Sequence, residues 1–339
     1  MSKVLTIVVP TYNAEKFLRV NLESFCIEEI LEDIDVLVVN DGSKDSSLSI
    51  AEEYAERYPN SFRVISKENG GHGSGVNCGI ENACGRYFKV VDADDWVERA
   101  AFINLVRYLK QADEDIVYSG FLWVFDNGEA SIETFQKKAE LVIPFEGVQY
   151  QKRYCFDEIA DRAYIKMHNI TIKTQILREH QIRLDEHCFY VDSEYISYPI
   201  PYVQTVIFLE DFVYMYRIGR SGQSVSLEQM RRNERNYDKV LQSLCEFYKK
   251  LGKEIPCSEQ KKSYIASIIA RVLAGKYKIV LSAPASREKR KELQDYDEKI
   301  RTNFPDIYTA NINKGVQVLR KSGYKAYWIV NRLVKIRYR

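Results

Sequence analysis

Two carboxylates, Asp92 and Asp94, directly follow an apolar run in the sequence Val90-Val91-Asp92-Ala93-Asp94-Asp95-Trp96. A short valine-rich run is typical of a buried strand. Acidic side chains at its end suit the crevice where α/β sheets bind ligands. Asp92 and Asp94 can direct oxygens at one Mg²⁺ or Mn²⁺, hard cations that also take substrate phosphates. The segment therefore predicts a metal site, with a solvated acidic turn as the alternative.

Two earlier strand ends carry residues that suit a nucleotide. Tyr12 follows the strand-like run 5–9 and offers a flat face for a nucleobase, although a lone tyrosine is more often a packing residue. Asp41 follows the run 36–39 and can accept a hydrogen bond from an imide N–H such as that of uracil, or simply cap a turn. The carboxyl ends of parallel strands share one sheet edge, so these residues and the acidic motif predict one nucleotide diphosphate site.

The glycine-rich stretch 70–75 is predicted to be a flexible loop before a short helix. Its small residues leave space for a ribose or phosphate, and the following helix presents N–H groups to an anion. The stretch has no Lys-Ser/Thr pair and is therefore not a P-loop. We expect Gly70 and Gly71 to contact the donor, with His72 near it. The four histidines show no metal-ligand spacing.

These residues need a parallel α/β sheet to bring them together. Strand and helix signals alternate over the first ~125 residues, which predicts a mostly parallel central sheet flanked by helices. Asn13 is predicted to cap the first helix. From about residue 228 the chain is rich in Lys, Arg and Glu with helical periodicity. We therefore predict one α/β domain over residues 1–225 and a helical region over residues 226–339.

The composition excludes several other classes of protein. Lys and Arg total 49 against 48 Asp and Glu, so no strong basic field for nucleic acid exists. The seven cysteines include no Cys-x-x-Cys pair, which favours a reducing cytoplasm over a disulfide framework. Neither a signal peptide nor a run of ~20 apolar residues is visible. We expect a cytoplasmic protein.

The stretch from Ile7 to Trp96 resembles the nucleotide-sugar-binding half of family 2 glycosyltransferases, and a weaker match continues to about Ser226. The resemblance implies a GT-A fold, an activated sugar donor (usually a UDP-sugar), a divalent metal and inversion at the anomeric carbon. It also assigns donor contacts to Pro10, Thr11, Asn77 and Ala93. The matching motifs are Pro10-Thr11-Tyr12-Asn13-Ala14-Glu15, Asn40-Asp41-Gly42-Ser43-Lys44-Asp45-Ser46, Asn69-Gly70-Gly71, Asn77-Cys78-Gly79-Ile80, Gly85-Arg86-Tyr87 and Asp92-Ala93-Asp94-Asp95-Trp96.

One position departs from the pattern of this family. Many members carry an arginine just before the residue that matches Asn77, and this chain has Val76 there. The diphosphate contact that such an arginine makes is therefore absent from this chain.

The resemblance also implies a general base, because inversion requires a group that takes the acceptor's hydroxyl proton. In the family this is a carboxylate at the start of a helix, well downstream of the acidic motif. Asp192 in Tyr190-Val191-Asp192-Ser193-Glu194-Tyr195 fits best, or it is a plain helix cap. Glu194 is the second choice and would point to nearly the opposite side of the helix. Asp211 is a weaker third.

A basic segment, Tyr216-Arg217-Ile218-Gly219-Arg220, resembles the family's Tyr-Arg segment. Arg217 or Arg220 is predicted to cover the diphosphate leaving group, where positive charge stabilises the developing anion. The alternative is a solvated basic loop of no catalytic importance.

The last helical segment is basic and contains Trp328. Five Lys or Arg residues recur at helical intervals, and no acidic residue follows Asp306. This pattern indicates either peripheral contact with an anionic membrane or an ordinary helix packed on the domain. The basic residues are Lys321, Lys325, Arg332, Lys335 and Arg339.

Together with the site residues, the resemblance implies a metal-dependent, inverting glycosyltransferase, a hexosyltransferase; by analogy with the family, it would act on a glycan or lipid-linked acceptor in bacterial surface polysaccharide synthesis. A homo-oligomer is compatible with the sequence. The rivals are a nucleotidyltransferase of sugar phosphates and a non-catalytic binding protein on the same fold. The first would need a Gly-rich loop with Lys or Arg after the first strand, and residues 10–13 provide none.

Overall fold

The structure is a computed structural model that describes residues 3–126, 128, 132–140, 145–219 and 226–337. The chain divides into two compact units, Met1–Arg220 and Ser221–Arg339. Within the described residues, no helix is both long enough and apolar enough to cross a bilayer. All seven cysteines are free thiols.

The described part of the first unit forms one ten-stranded sheet. Its main path runs β3-β2-β1-β4-β9-β6-β10-β5, while β7 pairs with β6 and β8 pairs with β10. The strands are β1 (Leu5–Thr11), β2 (Ile34–Asn40), β3 (Phe62–Ser66), β4 (Tyr87–Val90), β5 (Trp96–Val97), β6 (Ile116–Phe125), β7 (Gln136–Ala139), β8 (Arg153–Cys155), β9 (Ile170–Lys173) and β10 (Thr205–Ile218).

The predicted parallel sheet forms one half of this path. β3, β2, β1 and β4 are mutually parallel, and β1 and β2 are buried along their whole length. Such continuous apolar strands are typical of a sheet covered on both faces. β9 then runs antiparallel to both β4 and β6, and β10 pairs parallel with β6. The sheet is therefore mixed beyond β4.

Helices flank this sheet, and helices also make up most of the second unit over its described residues, 226–337. α1 and α4 bury the apolar faces that the sequence predicts, with Leu18 and Leu22 on the first and Phe102 and Leu105 on the second. The helices of the first unit are α1 (Glu15–Glu23), α2 (Ser47–Arg57), α3 (His72–Asn82), α4 (Arg99–Leu109), α5 (Phe156–Ile159), α6 (Thr174–Glu179) and α7 (Asp192–Tyr195).

The second unit is helical, and its longest helix, α10, is buried over most of its length. α9, α12 and α14 pack against α10. The helices are α8 (Leu227–Arg232), α9 (Glu234–Lys250), α10 (Glu259–Ser282), α11 (Arg287–Asn303), α12 (Pro305–Ala310), α13 (Lys314–Lys321) and α14 (Tyr327–Arg337).

Two local predictions are wrong. Asn13 does not cap α1: its φ is +50° and its Oδ1 accepts from the backbone N–H of Lys44, 2.8 Å away. Side chains at the start of α2 cap α1 instead, with Ser47 accepting from Ala14 N–H. The stretch 70–75 is not a flexible loop, because α3 already begins at His72. Only Gly70 and Gly71 form the turn that precedes it.

Candidate active site

A cleft of about 620 Å³ opens at the carboxyl ends of β1, β2 and β4, a volume in the range of small-ligand sites. Tyr12 is 53% exposed on its wall, while Thr11, Asp41 and Ala93 are largely buried beneath the surface. Most of the predicted donor-binding residues meet here. The lining residues are Pro10, Thr11, Tyr12, Asn13, Ala14, Phe17, Asp41, Asn69, Gly71, His72, Asp92, Ala93, Asp94, His187, Cys188 and Phe189.

The acidic turn after β4 is fixed by buried hydrogen bonds. The side-chain amide of Asn21 on α1 donates to the backbone carbonyls of Asp92 and Asp95, at 3.0 and 2.9 Å. The Tyr214 hydroxyl accepts from Asp92 N–H at 3.1 Å and donates to Asp95 Oδ2 at 2.6 Å. The turn is therefore held in place by β10 as well as by α1.

Asp95 is a structural member of the turn. It is buried, and its Oδ1 also accepts from the backbone N–H of Arg217 at 2.8 Å. Burial, together with the charges of Asp94 and Asp92, raises the pKa of Asp95 well above its ordinary value. Because both of its oxygens already accept hydrogen bonds, we assign Asp95 to supporting the turn.

His168 lies closer to the acidic turn than the sequence indicated. Possible ligand atoms of Asp92, Asp95 and His168 all lie within 4.8 Å of one another. Burial lowers the pKa of His168 to about 4, and its Nδ1 has no hydrogen-bond partner among the described residues. The imidazole is therefore neutral, as a metal ligand must be. The sequence shows no metal-ligand spacing for His168, and the structure adds it as a candidate ligand because the segment before β9 returns to the acidic turn.

A hard cation fits these donors. The carboxylates of Asp92 and Asp94 lie in the cleft, and neutral His168 adds a nitrogen beside Asp92. Carboxylate and imidazole together suit Mn²⁺, while carboxylates and phosphate oxygens suit Mg²⁺ equally. The predicted ligand pair Asp92 and Asp94 stays a prediction, with His168 as an added candidate.

His72 forms an ion pair with the first carboxylate of the motif. Its Nε2 lies 2.8 Å from Asp92 Oδ1. Burial alone would lower the pKa of His72, but the Asp92 charge raises it above its ordinary value, and Asp192 and Asp94 add to the effect. Burial alone would likewise raise the pKa of Asp92, but His72 lowers it. The Asp92 charge therefore favours the protonated form of His72 on the wall of the cleft.

Asp41 braces the glycine turn. Its Oδ1 accepts from Gly70 N–H at 2.9 Å and from Lys67 Nζ at 3.0 Å, and its Oδ2 accepts from Gly71 N–H at 2.7 Å. Gly71 adopts φ +83°, which side chains rarely tolerate. Since each carboxylate oxygen can accept about two hydrogen bonds, Oδ2 retains the capacity to accept one more. The predicted contact with a base imide is compatible with this geometry.

Asn77 lies behind the cleft and positions the segment that forms its far wall. Its side chain donates to Leu184 carbonyl at 2.9 Å and accepts from Leu184 N–H at 2.8 Å. A Cβ at Gly73 would lie 2.2 Å from the carbonyl oxygen of Asp185, so only glycine allows this approach. The predicted direct donor contact of Asn77 stays untested, whereas its structural role is clear.

The far wall itself was missed by the sequence analysis. His187, Cys188 and Phe189 line the cleft, and Phe189 is 50% exposed. His187 and Tyr190 have φ values of +53° and +69°, and such strained backbone is concentrated at functional sites. In the sequence, the one feature that indicated this wall was the run of small residues in α3, the helix that faces it.

Arg217 is buried under the acidic turn. Its Nε donates to Asp94 carbonyl at 3.0 Å, its Nη1 pairs with Asp126 at 3.1 Å, and its guanidinium packs 4.9 Å from the Trp96 ring centroid. These contacts correct the alternative of a solvated basic loop, because Arg217 is only 5% exposed. Its contact with a diphosphate stays a prediction. Arg220 lies outside the described residues.

The three candidate bases occupy different environments. Asp192 is exposed at the first position of α7. Its pKa is raised because neighbouring protein atoms desolvate the carboxylate; the charge of His72 opposes this shift and that of Asp92 adds to it. Glu194 is fully buried, and its Oε2 accepts from Asp185 N–H at 2.8 Å. Asp211 accepts from Asn104 of α4. Of the three, Asp192 combines access to solvent with coupling to the cleft.

Comparisons with known proteins agree with this geometry. A sequence profile described as "Glycosyl transferase family 2" matches residues 6–178. The chain is 42% identical over 121 residues, 36% of its length, to "Uncharacterized glycosyltransferase EpsJ" of Bacillus subtilis (strain 168). It is 28% identical over 260 residues, 76% of its length, to "Minor teichoic acid biosynthesis protein GgaB" of the same organism. The matched stretches span only 35% and 27% of those two relatives.

A solved structure extends the likeness to nearly the whole chain. The S. aureus TarS 1-349 structure in complex with UDP-GlcNAc matches with a TM-score of 0.65 at 17% identity, over 99% of this chain and 91% of that one. At this identity the likeness concerns the fold alone. The profile match covers half of the chain and contains the cleft motifs from β1 to the acidic turn. The chain therefore belongs to glycosyl transferase family 2, and its fold is the GT-A fold.

Proposed function

We propose that the protein is a metal-dependent, inverting glycosyltransferase that moves a hexosyl group from a nucleotide-sugar to a glycan or lipid-linked acceptor. The observation that carries the proposal is the meeting of Tyr12, Asp92, Asp94 and Gly71 around one cleft, with Asp192 electrostatically coupled to it. In this proposal residues 1–225 form the donor-binding and catalytic domain, and residues 226–339 form a helical region.

A UDP-sugar is the proposed donor. Tyr12 provides an exposed ring for the base, and the free position on Asp41 Oδ2 can accept the imide N–H of uracil. The TarS structure was solved with UDP-GlcNAc, which supports testing UDP-sugars first. The diphosphate would lie between the Gly70–Gly71 turn and the acidic motif.

A divalent cation held by Asp92 and Asp94 would neutralise charge on the diphosphate. Side chains of the cleft would provide further positive charge and hold the carboxylates in position. His72 places a positive ring in a site where Val76 provides none, and it can donate to a phosphate oxygen once released from Asp92. Asn21 and Tyr214 keep the two carboxylates in position.

Asp192 is the proposed general base. The acceptor oxygen attacks the anomeric carbon from the side opposite the diphosphate, and its proton passes to the Asp192 carboxylate. The bond from the anomeric carbon to the diphosphate breaks, and the nucleoside diphosphate leaves. A raised pKa improves Asp192 as a base near neutral pH.

The acceptor is proposed from the relatives, since GgaB is named for minor teichoic acid biosynthesis. We therefore propose a role in bacterial surface polysaccharide synthesis. No observation favours a nucleotidyltransferase, and the family assignment argues against one. The coupled Asp192, His72 and Asp92 argue against a non-catalytic binding protein.

A panel of nucleotide-sugars tests the proposal. The full chain is incubated with each donor, with Mn²⁺, Mg²⁺ or EDTA, and release of the nucleoside diphosphate is measured. We expect release from a UDP-sugar with a divalent cation and almost none in EDTA. Equal release in EDTA would contradict the metal dependence, and release of pyrophosphate from a sugar phosphate and UTP would indicate a nucleotidyltransferase.

A further inference from the structure

The helix α14 has two apolar sides, and only one of them is buried. Tyr327, Val330 and Asn331 face the interior of the second unit, at 0–5% exposure. Four large apolar side chains lie on the opposite side and point to solvent. They are Trp328 at 45% exposure, Ile329 at 66%, Leu333 at 59% and Ile336 at 62%, and together they form the outward face of α14.

The buried side holds α14 firmly. The Asn331 amide donates to the carbonyls of Leu281 and Ala283, at 2.6 and 3.0 Å, which joins the helix to the end of α10. The Tyr327 ring is completely buried. Since α14 is already packed through this side, the fold of the second unit does not require its outward face to be apolar.

The outward face is an uninterrupted helical surface. Residues three or four apart share one side of a helix, so Trp328, Arg332 and Ile336 form one row and Ile329 and Leu333 form the next. Contiguous exposed apolar patches are uncommon on soluble monomers, and those that occur often mark protein or membrane interaction sites.

The C-terminal segment that carries the outward face has charges of a single sign. Eight Lys or Arg residues and no Asp or Glu occur between Ile307 and Arg339. Arg320 is neutralised by Asp297 at 2.7 Å. Lys325 and Arg332 are exposed, and no carboxylate among the described residues pairs with them. Apolar side chains on a segment whose own charged residues are all cationic complement an anionic, amphipathic surface.

We propose that the outward face of α14 docks on the surface of a lipid bilayer that contains anionic headgroups. The apolar side chains enter the boundary between headgroups and acyl chains, where tryptophan is favoured, and Lys325 and Arg332 contact the headgroups. A protein partner of mixed charge would not account for a segment whose charged residues are all cationic. The proposal does not depend on the proposed sugar transfer.

Vesicle co-sedimentation of the full chain tests the proposal. We expect binding to phosphatidylcholine vesicles that contain phosphatidylglycerol, little binding to pure phosphatidylcholine vesicles, and weaker binding at high salt because the charges are screened. The double variant Lys325→Glu/Arg332→Glu should lower the partition coefficient at least about fivefold. The double variant Ile329→Ser/Leu333→Ser should lower it at both salt concentrations.

Control variants change exposed residues of the same chemical type elsewhere. Lys299→Glu on α11 and Phe125→Ser on β6 should bind vesicles as the unaltered chain does. Unchanged thermal unfolding of each variant verifies its fold, because every substituted side chain is exposed. Equal binding to neutral and anionic vesicles would overturn the proposal. Normal vesicle binding by the α14 variants would also overturn it. If these variants instead convert an oligomer to a monomer in light scattering, the proposal is overturned and a second copy of the chain is the occupant.

Discussion

The imidazole Nε2 of His72 lies 2.8 Å from Oδ1 of Asp92, so a protonatable ring contacts the first carboxylate of the proposed metal site. The two residues are 20 positions apart and meet because α3 begins beside the end of β4. A cation that binds Asp92 must compete with the protonated form of this ring, which Asp92 favours.

The first prediction concerns this competition. Because Asp92 raises the pKa of His72, cation binding in the presence of UDP should strengthen as pH rises and the ring loses its proton. His72→Gln removes the charge and should flatten this pH dependence. Calorimetric Mn²⁺ titrations at several pH values measure it, with His180→Gln as the control, since His180 stacks on Tyr202. A pH dependence that persists in His72→Gln would contradict the competition.

The second prediction concerns the metal ligands. Asp94→Ala should lower the rate of transfer by about a hundredfold or more, because stabilisation of the charge on the leaving diphosphate is lost. UDP binding in Mn²⁺ should weaken as well. Asp161→Ala, at an 83% exposed carboxylate, is the control and should leave both measurements unchanged. An active Asp94→Ala enzyme would remove Asp94 from the site.

The third prediction concerns Asp41. Asp41→Asn leaves one oxygen to accept where the carboxylate offers two, so the N–H of Gly70 or Gly71 loses its acceptor. We expect a loss of about 1–3 kcal/mol in the free energy of unfolding, together with weaker UDP binding. Chemical denaturation and calorimetry measure the two effects. Unaltered values for both would show that Asp41 neither braces the turn nor contacts the base.

The fourth prediction concerns the buried Glu194. Burial raises its pKa from 4.5 to about 8, so the folded state holds a proton that the unfolded state loses between these values. The free energy of unfolding should therefore fall as pH rises from 4.5 to 8, by roughly 4 kcal/mol from this group. Glu194→Gln should be more stable than the unaltered chain at pH 8, with the difference vanishing near pH 4.5.

Denaturation curves over this pH range measure the effect, and Glu68→Gln, at an exposed side chain, is the control. If Glu194→Gln shows the same slope of stability against pH as the unaltered chain, Glu194 is ionised in the folded state. If it instead abolishes turnover with unchanged stability, Glu194 rather than Asp192 is the base.

The sequence predicts the parts of the site that depend on strand ends. Tyr12, Asp41 and Asp92 each follow a buried apolar strand, and parallel pairing of β2, β1 and β4 brings them to one edge. Their convergence follows from the period and order of the elements alone. The GT-A fold and family membership follow from the same motifs.

Contacts between distant segments are beyond such reasoning. His168 reaches the acidic turn because β9 runs antiparallel to β4, and no local pattern encodes that pairing. The sequence analysis did not predict that Ser47 caps α1 for the same reason, since Ser47 lies 33 residues beyond the backbone N–H that it accepts from. Trp328 is exposed although Tyr327 beside it is buried, and only the packing of α14 decides this.

The most direct test of the proposed function combines turnover and donor binding in Asp192→Asn. UDP release from the preferred UDP-sugar is measured with acceptor, and UDP affinity is measured by calorimetry, for the unaltered chain, Asp192→Asn and Asp211→Asn. We predict that Asp192→Asn lowers turnover by about 10²–10⁴-fold with nearly unchanged UDP affinity, because only the proton acceptor is lost. Asp211→Asn should retain activity. Full turnover by Asp192→Asn, or no sugar transfer from any nucleotide-sugar by the unaltered chain, would contradict the account.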